Sequence, residues 1–207
     1  MTREQSRAQT RERLLDAARA VFARSGFHGA SVEEIASEAG FSTGALYSNF
    51  EGKEDLFLVL MDREIEEHAR GIARAVKEQA TISGRAAGGA RRWMKMIERE
   101  PQTLLLFMEF WAYGVRDAAI RPKVAERFAH TRRVLTSLIA DGVRDFDLEL
   151  AIPAEQLAVA IDALADGIAR QKLADPQAVP DELMGRVLAA LLSAVTRPAG
   201  TGTRSEP

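Results

Sequence analysis

Cysteine is absent from all 207 positions. That excludes disulfide frameworks, thiolate metal sites and cysteine nucleophiles, and it is compatible with a reducing compartment. Histidine is scarce, and His28, His68 and His130 do not form a metal-ligand spacing. No nucleophile, base and orienting group fall into a catalytic arrangement either. The expectation is therefore no catalytic residue, no metal and no cofactor. Long apolar runs are missing: the most apolar stretch, Leu104 to Met108, runs straight into Glu109, and a membrane span needs roughly 18 such residues. From Met1 to Phe22 charges occur throughout, without the apolar centre and small-residue cleavage site of a secretory signal. No membrane partner and a cytoplasmic location are expected. An excess of charge is lacking too, since 28 Lys and Arg against 30 Asp and Glu leave −2. A general attraction to nucleic acid cannot be claimed, so any such binding must come from local arrangement.

What is present is helical periodicity in a chain with 46% apolar and 28% charged residues, a balance that folds. Between Arg11 and Ser25 the residues Leu14, Leu15, Ala18, Val21 and Phe22 recur at helical spacing, and Gly26 is a natural stop. Ser31 and Glu34 read as a capping box ahead of Val32, Ile35, Ala36 and Ala39, with Gly40 ending that helix. Ser42 is the expected N-cap of a third short helix carrying Ala45, Leu46, Tyr47 and Phe50, closed by Gly52. From Lys53 the apolar residues Phe57, Met61, Ile65, Ala69, Ile72 and Val76 predict one long helix, roughly 40 Å if it reaches Gln79. Gly84, Gly88 and Gly89 mark Thr81 to Gly89 as the expected joint, with the next helix from Ala90 to Glu100. Further helices are expected over Gln102–Arg116, Arg121–Val143, Ala154–Lys172 and Asp181–Thr196. Phe146 to Ile152 reads as a short connection and the tail from Pro198 as disordered. No internal repeat and no alternating strand pattern is seen.

Ser31 to Phe57 carries the functional signal. Two short helices joined by a glycine turn form a helix-turn-helix, whose second helix can enter a major groove while the first crosses the backbone. From Ala39 to Phe50 there is no acidic residue to repel phosphate. Thr43, Gly44, Ala45 and Ser48 permit close approach to base edges, and Tyr47 can give a hydroxyl to a phosphate. At Lys53 an ammonium, backbone N–H groups and a helix dipole can converge on one phosphate, with Ser31 a similar site one element earlier. Arg3, Arg7, Arg11 and Arg13 either add salt-sensitive phosphate contacts or form a solvated helix start. Capped helices separated by glycine also occur in helical proteins that never touch DNA, so spacing alone leaves both readings open.

The block resembles the TetR family of transcriptional regulators. The family pattern is a hydroxyl residue, then I-A-x-x-A-G, S-x-G-x-L-Y-x-x-F and K-x-x-L. This chain has Ser31, Ile35, Ala36, Ala39, Gly40, Ser42, Gly44, Leu46, Tyr47, Phe50, Lys53 and Leu56. Asn49 stands where the family commonly has histidine, and Ser31 where threonine is common; both retain hydrogen-bonding ability. The resemblance covers about residues 10 to 60. It implies DNA contacts from Ser31, Ser42, Thr43, Gly44, Ala45, Tyr47, Ser48, Asn49 and Lys53, with a palindromic double-stranded operator, a homodimer and a small-molecule effector as partners.

The body carries weaker signals. Leu104 to Tyr113 is apolar on nearly every face and should be central. Trp93, Met96, Phe107, Met108, Phe110, Trp111 and Tyr113, with Met61 and Ile65 from the long helix, suit a pocket for an effector of apolar character; each is equally suited to packing a core. Glu109 is either a polar handle for that ligand or, preferentially, a solvent-facing residue. Leu157, Ile161, Leu164 and Ile168, then Val187, Leu188, Leu191, Leu192 and Val195, fit two helices that pack either within the chain or, as the resemblance implies, in a four-helix bundle between subunits. The expected fold is all-α: a three-helix helix-turn-helix head at 1–52, a connecting helix at 53–80, an effector-binding and dimerisation body at 81–197 and a tail at 198–207. Two other readings are a DNA-binding regulator without small-molecule control and an all-helical small-molecule binding protein or enzyme whose head is structural.

Overall fold

The computed structural model describes residues 3–200, with only the backbone of Arg3. Among them nine helices account for the fold: α1 (Arg3–Gly29), α2 (Val32–Glu38), α3 (Thr43–Tyr47), α4 (Lys53–Lys77), α5 (Ile82–Arg99), α6 (Pro101–Gly114), α7 (Arg121–Asp145), α8 (Ala154–Ala174) and α9 (Leu183–Val195). No helix among the described residues is long and apolar enough to cross a membrane. The chain divides into two compact units, one from residues up to Glu66 together with Gln102–Ala125, the other from Glu67–Pro101 together with Glu126 onwards.

The first unit holds α1 to α3, the start of α4, all but the first residue of α6 and the start of α7. Its core is aromatic. Phe22, Phe27, Phe57 and Phe110 are essentially fully buried, and Phe57 stacks on Phe110 with centroids 4.3 Å apart while Phe27 meets both edge-on. Burial of each ring contributes roughly 2–3 kcal/mol, so α6 is held to α1 and α4 by the largest apolar surfaces in the unit. The expected stop at Gly26 appears as a break inside α1, with φ +70° and ψ 174°, after which one more turn forms. Gly40, at φ +73°, closes α2 through two bonds, Gly40 N–H to the Ser37 carbonyl and Phe41 N–H to the Ala36 carbonyl. This paired arrangement needs a left-handed residue, which glycine adopts without penalty.

In the second unit α5 and α9 form the most extensive helix pair. Of the expected joint at Thr81 to Gly89, only Thr81 lies outside a helix; from Ile82 onwards it is continuous helix, capped by the Thr81 hydroxyl accepting Gly84 N–H at 3.0 Å. The glycines serve proximity and not flexibility: a Cβ on Gly88 would lie 2.6 Å from the Ala75 carbonyl oxygen. The expectation of no strand is also corrected. Leu148–Leu150 (β1) pairs antiparallel with Thr196–Pro198 (β2), each too short to show a two-residue period in sequence. Pro198, expected to open a disordered tail, is thus the last residue of β2; residues 201–207 lie outside the described residues. Lys172, nearly buried, closes the α8–α9 connection by donating to Asp181 at 2.6 Å and to the Val179 carbonyl at 2.9 Å.

Candidate DNA interface

The helix-turn-helix is assembled by local capping. The Ser31 hydroxyl accepts Glu34 N–H at 3.0 Å and the Ser42 hydroxyl accepts Ala45 N–H at 3.2 Å, so each expected cap forms and each hydroxyl keeps its proton for an outside acceptor. The reciprocal half of the capping box is not made; Glu34 pairs with Arg24 at 2.9 Å. Leu46 and Phe50 point inwards and are buried, while Ser42, Gly44, Tyr47 and Ser48 are exposed and Thr43 and Ala45 half-buried. Tyr47 is 57% exposed, a large aromatic surface kept in water by a five-residue helix.

The arginines of α1 also bind within the first unit: Arg7 and Arg13 remain exposed, Arg11 is half-buried, and the side chain of Arg3 lies outside the described residues. Arg7 donates to the Ser48 carbonyl at 3.3 Å, Arg11 to the Asn49 carbonyl at 2.6 Å and Arg13 to the Ala39 carbonyl at 2.9 Å. They satisfy carbonyls at the C-terminal ends of α2 and α3, where a cation also meets the negative end of the helix dipole. Arg11 further lies over the Phe50 ring at 4.2 Å. Intramolecular bonds thus fix α2 and α3 against α1.

Two expected phosphate groups are engaged inside the unit. The Lys53 ammonium donates to the Ala30 carbonyl at 3.1 Å and sits 4.7 Å from the Phe27 ring centre. Asn49 donates through Nδ2 to the Ala45 carbonyl at 2.8 Å, and its Oδ1 is buried without a partner. Ser48 gives its proton to the Gly44 carbonyl at 2.8 Å. Among the groups left to meet a partner are the Thr43 and Tyr47 hydroxyls, the Ser31 and Ser42 protons, the Gly44 N–H and the Ala45 methyl.

The expected effector residues do not gather in either unit alone. Met61, Ile65, Phe107, Met108, Phe110, Trp111 and Tyr113 belong to the first, Trp93 and Met96 to the second. Phe110 is fully buried in the aromatic core, whereas Trp111 is 45% exposed. A cleft of about 470 Å³ in the first unit is lined by His28, Glu109, Ala112, Tyr113, Arg116 and Asp117, of which the sequence had offered only Tyr113 and Glu109 for a ligand. Burial, reinforced by the Glu54 carboxylate, raises the Tyr113 phenol above its ordinary pKa. The preference for Glu109 facing solvent is overturned: its carboxylate accepts two backbone N–H groups, from Phe27 and His28.

The nine expected interface residues also split. Leu157, Ile168, Leu188 and Leu192 are buried within the single chain, where they pack the second unit. Ile161, Leu164, Val187, Leu191 and Val195 remain half-buried. The outer stripe of α8 is instead Val159, Ala160, Ala163 and the half-buried Gly167, and a Cβ at Gly167 would meet nothing within 4 Å.

Residues 14–60 match the family profile of bacterial regulatory proteins, tetR family, and residues 85–197 match that of the BetI-type transcriptional repressor C-terminal region. The chain is 30% identical over 165 residues to the HTH-type transcriptional activator FasR of Mycolicibacterium smegmatis, covering 79% of this chain and 72% of that one. It is 28% identical over 187 residues to the HTH-type transcriptional regulator BetI of Vibrio campbellii, covering 82% and 83%. Among solved structures, the transcriptional regulator FadR from Bacillus subtilis in complex with stearoyl-CoA superposes with a TM-score of 0.70 at 20% identity, over 87% of this chain and 96% of that one.

Proposed function

Because the chain belongs to the TetR family of bacterial regulatory proteins and is a transcriptional regulator, we propose that it is a repressor that binds a palindromic operator as a homodimer and is released by an apolar small-molecule effector. The single observation that carries the DNA contact is the exposed face of α3, free of acidic side chains and bearing hydroxyls. In this reading Thr43, Gly44 and Ala45 meet base edges, and Tyr47, Ser31 and Ser42 donate to phosphates. Lys53 contributes through the N–H groups at the start of α4 and through the ammonium protons not given to Ala30. Ser48 and Asn49 act indirectly, by holding the α3 backbone.

Residues 1–52 then serve as the DNA-binding part, 53–80 as the connection and 81–197 as the effector-binding and dimerisation part. The effector reading is supported by the apolar character of α6 and by the stearoyl-CoA bound to the solved FadR structure. The dimer reading rests on α8 and α9, with Val159, Ala160, Ala163 and Gly167 added to Ile161, Leu164, Val187, Leu191 and Val195. A two-fold protein must find two half-sites related by the same symmetry.

The test is selection from a random duplex library with the purified protein, then fluorescence anisotropy on the selected duplex with and without stearoyl-CoA. A palindrome bound by two chains and released by the acyl-CoA is the expected result. Selection of a duplex that stearoyl-CoA leaves bound, although the protein takes up the acyl-CoA, would reject release by that effector. Coupling must also be reciprocal, so operator-saturated protein should bind stearoyl-CoA more weakly by the same factor.

A further inference from the structure

The break at Gly26 leaves a small structural problem that the fold solves from a distance. The turn after it begins afresh, and the first N–H groups of a helical turn call for an acceptor from outside it, which glycine, without a side chain, cannot supply. The acceptor comes from α6, more than eighty residues along the chain. Glu109 Oε2 accepts Phe27 N–H at 3.1 Å, and Oε1 accepts His28 N–H at 3.0 Å. The fit is close, because a Cβ on Gly26 would lie 2.8 Å from Oε2. This turn leads straight into Ala30, whose carbonyl holds the Lys53 ammonium, and Ser31, which caps α2.

We propose that Glu109 is a positioning residue for sequence-specific DNA binding: by capping the turn at Phe27 and His28 it fixes the direction in which the chain leaves α1 for α2. The α2–α3 pair is thereby held to α6. The neighbouring Phe27, Phe57 and Phe110 rings supply cohesion but little direction, since apolar burial tolerates small slides. Two charge-assisted hydrogen bonds to adjacent amides set an orientation. The same arrangement explains the residue type at both ends. Only glycine accommodates the positive φ together with the carboxylate at van der Waals distance, and only a carboxylate supplies two equivalent acceptors to two consecutive donors.

The experiment uses the full-length protein with a duplex selected by the wild type and a shuffled duplex of equal length. Glu109→Leu removes both acceptors, and its affinity for the selected duplex should fall roughly tenfold while affinity for the shuffled duplex is unchanged. Glu109→Gln keeps one acceptor and should lie between. Gly26→Ala, which displaces the carboxylate, should act in the same sense. Amide hydrogen exchange at Phe27 and His28 should accelerate in the same order. Should Glu109→Leu fold poorly, the Gln and Ala variants carry the comparison, and a purely structural role would lower their melting temperatures without changing the ratio of the two affinities. An unchanged ratio in those two variants, or a lowered ratio with Phe27 and His28 exchange as slow as in the wild type, would overturn the assignment.

Discussion

A carboxyl and an ammonium illustrate how single side chains set measurable properties of this molecule. Burial on α8, with the like charge of Asp166 adding and Arg132 opposing, pushes Asp162 up to about 6. A carboxyl whose folded pKa exceeds its unfolded value of about 3.9 costs stability once it ionises. The cost is absent below about pH 4, grows between pH 4 and 6 and is complete above. Asp162→Asn should therefore raise the melting temperature at pH 8 and leave it nearly unchanged at pH 4. After discounting for solvent screening of a partly exposed group, the gain is no more than about 2 kcal/mol. Equal shifts at the two pH values in thermal melts would contradict this cause. Lys53→Met keeps the aliphatic stem but loses the ammonium held by Ala30 and Phe27. The expected loss of folding stability is about 1 kcal/mol. Operator binding should also depend less on salt, by about one unit in the slope of log K against log salt; a wild-type slope would remove Lys53 from the phosphate contacts.

At the scale of elements, α5 offers the sharpest test of packing. Gly88 faces the Ala75 carbonyl at a distance that admits no Cβ, so Gly88→Ala should cost about 1–3 kcal/mol through overpacking despite alanine's better helix propensity. Chemical denaturation would decide it, since a gain in stability would show that the two helices separate freely. The contrast between α5 and α2 explains what was readable beforehand. Ser31, Ser42 and Gly40 act within a few residues of themselves, and local chemistry announced them. The roles of Gly88 and Glu109 depend on partners thirteen and more than eighty residues away, which periodicity does not reveal. Leucines on α8 and α9 were legible as apolar stripes, but not as inward-facing ones, because a stripe that packs within the chain and one that would meet a partner have the same period. The arginines of α1 were ambiguous for a similar reason: a cation near a helix end and a cation near a phosphate look alike in sequence.

For the molecule as a whole, the buried and exposed residues of α8 allow folding and the proposed dimer to be tested separately. Leu157 is fully buried within the chain, so Leu157→Ala should cost about 2–5 kcal/mol in folding. Ala163 is exposed on the outer stripe, so Ala163→Arg should leave the melting temperature of dilute protein almost untouched while shifting it from dimer to monomer in sedimentation velocity. A monomeric wild type, or an unperturbed dimer in the variant, would place the interface elsewhere. The first unit carries a different kind of consequence. It is built from residues up to Glu66 and from Gln102–Ala125, so a growing chain cannot complete the aromatic core until α6 has left the ribosome. At about 5–20 residues per second the helix-turn-helix waits roughly 3–12 s with Phe27 and Phe57 lacking Phe110. During that interval the nascent regulator presents an apolar surface to chaperones, and a translation pause before Pro101 would prolong its exposure to aggregation.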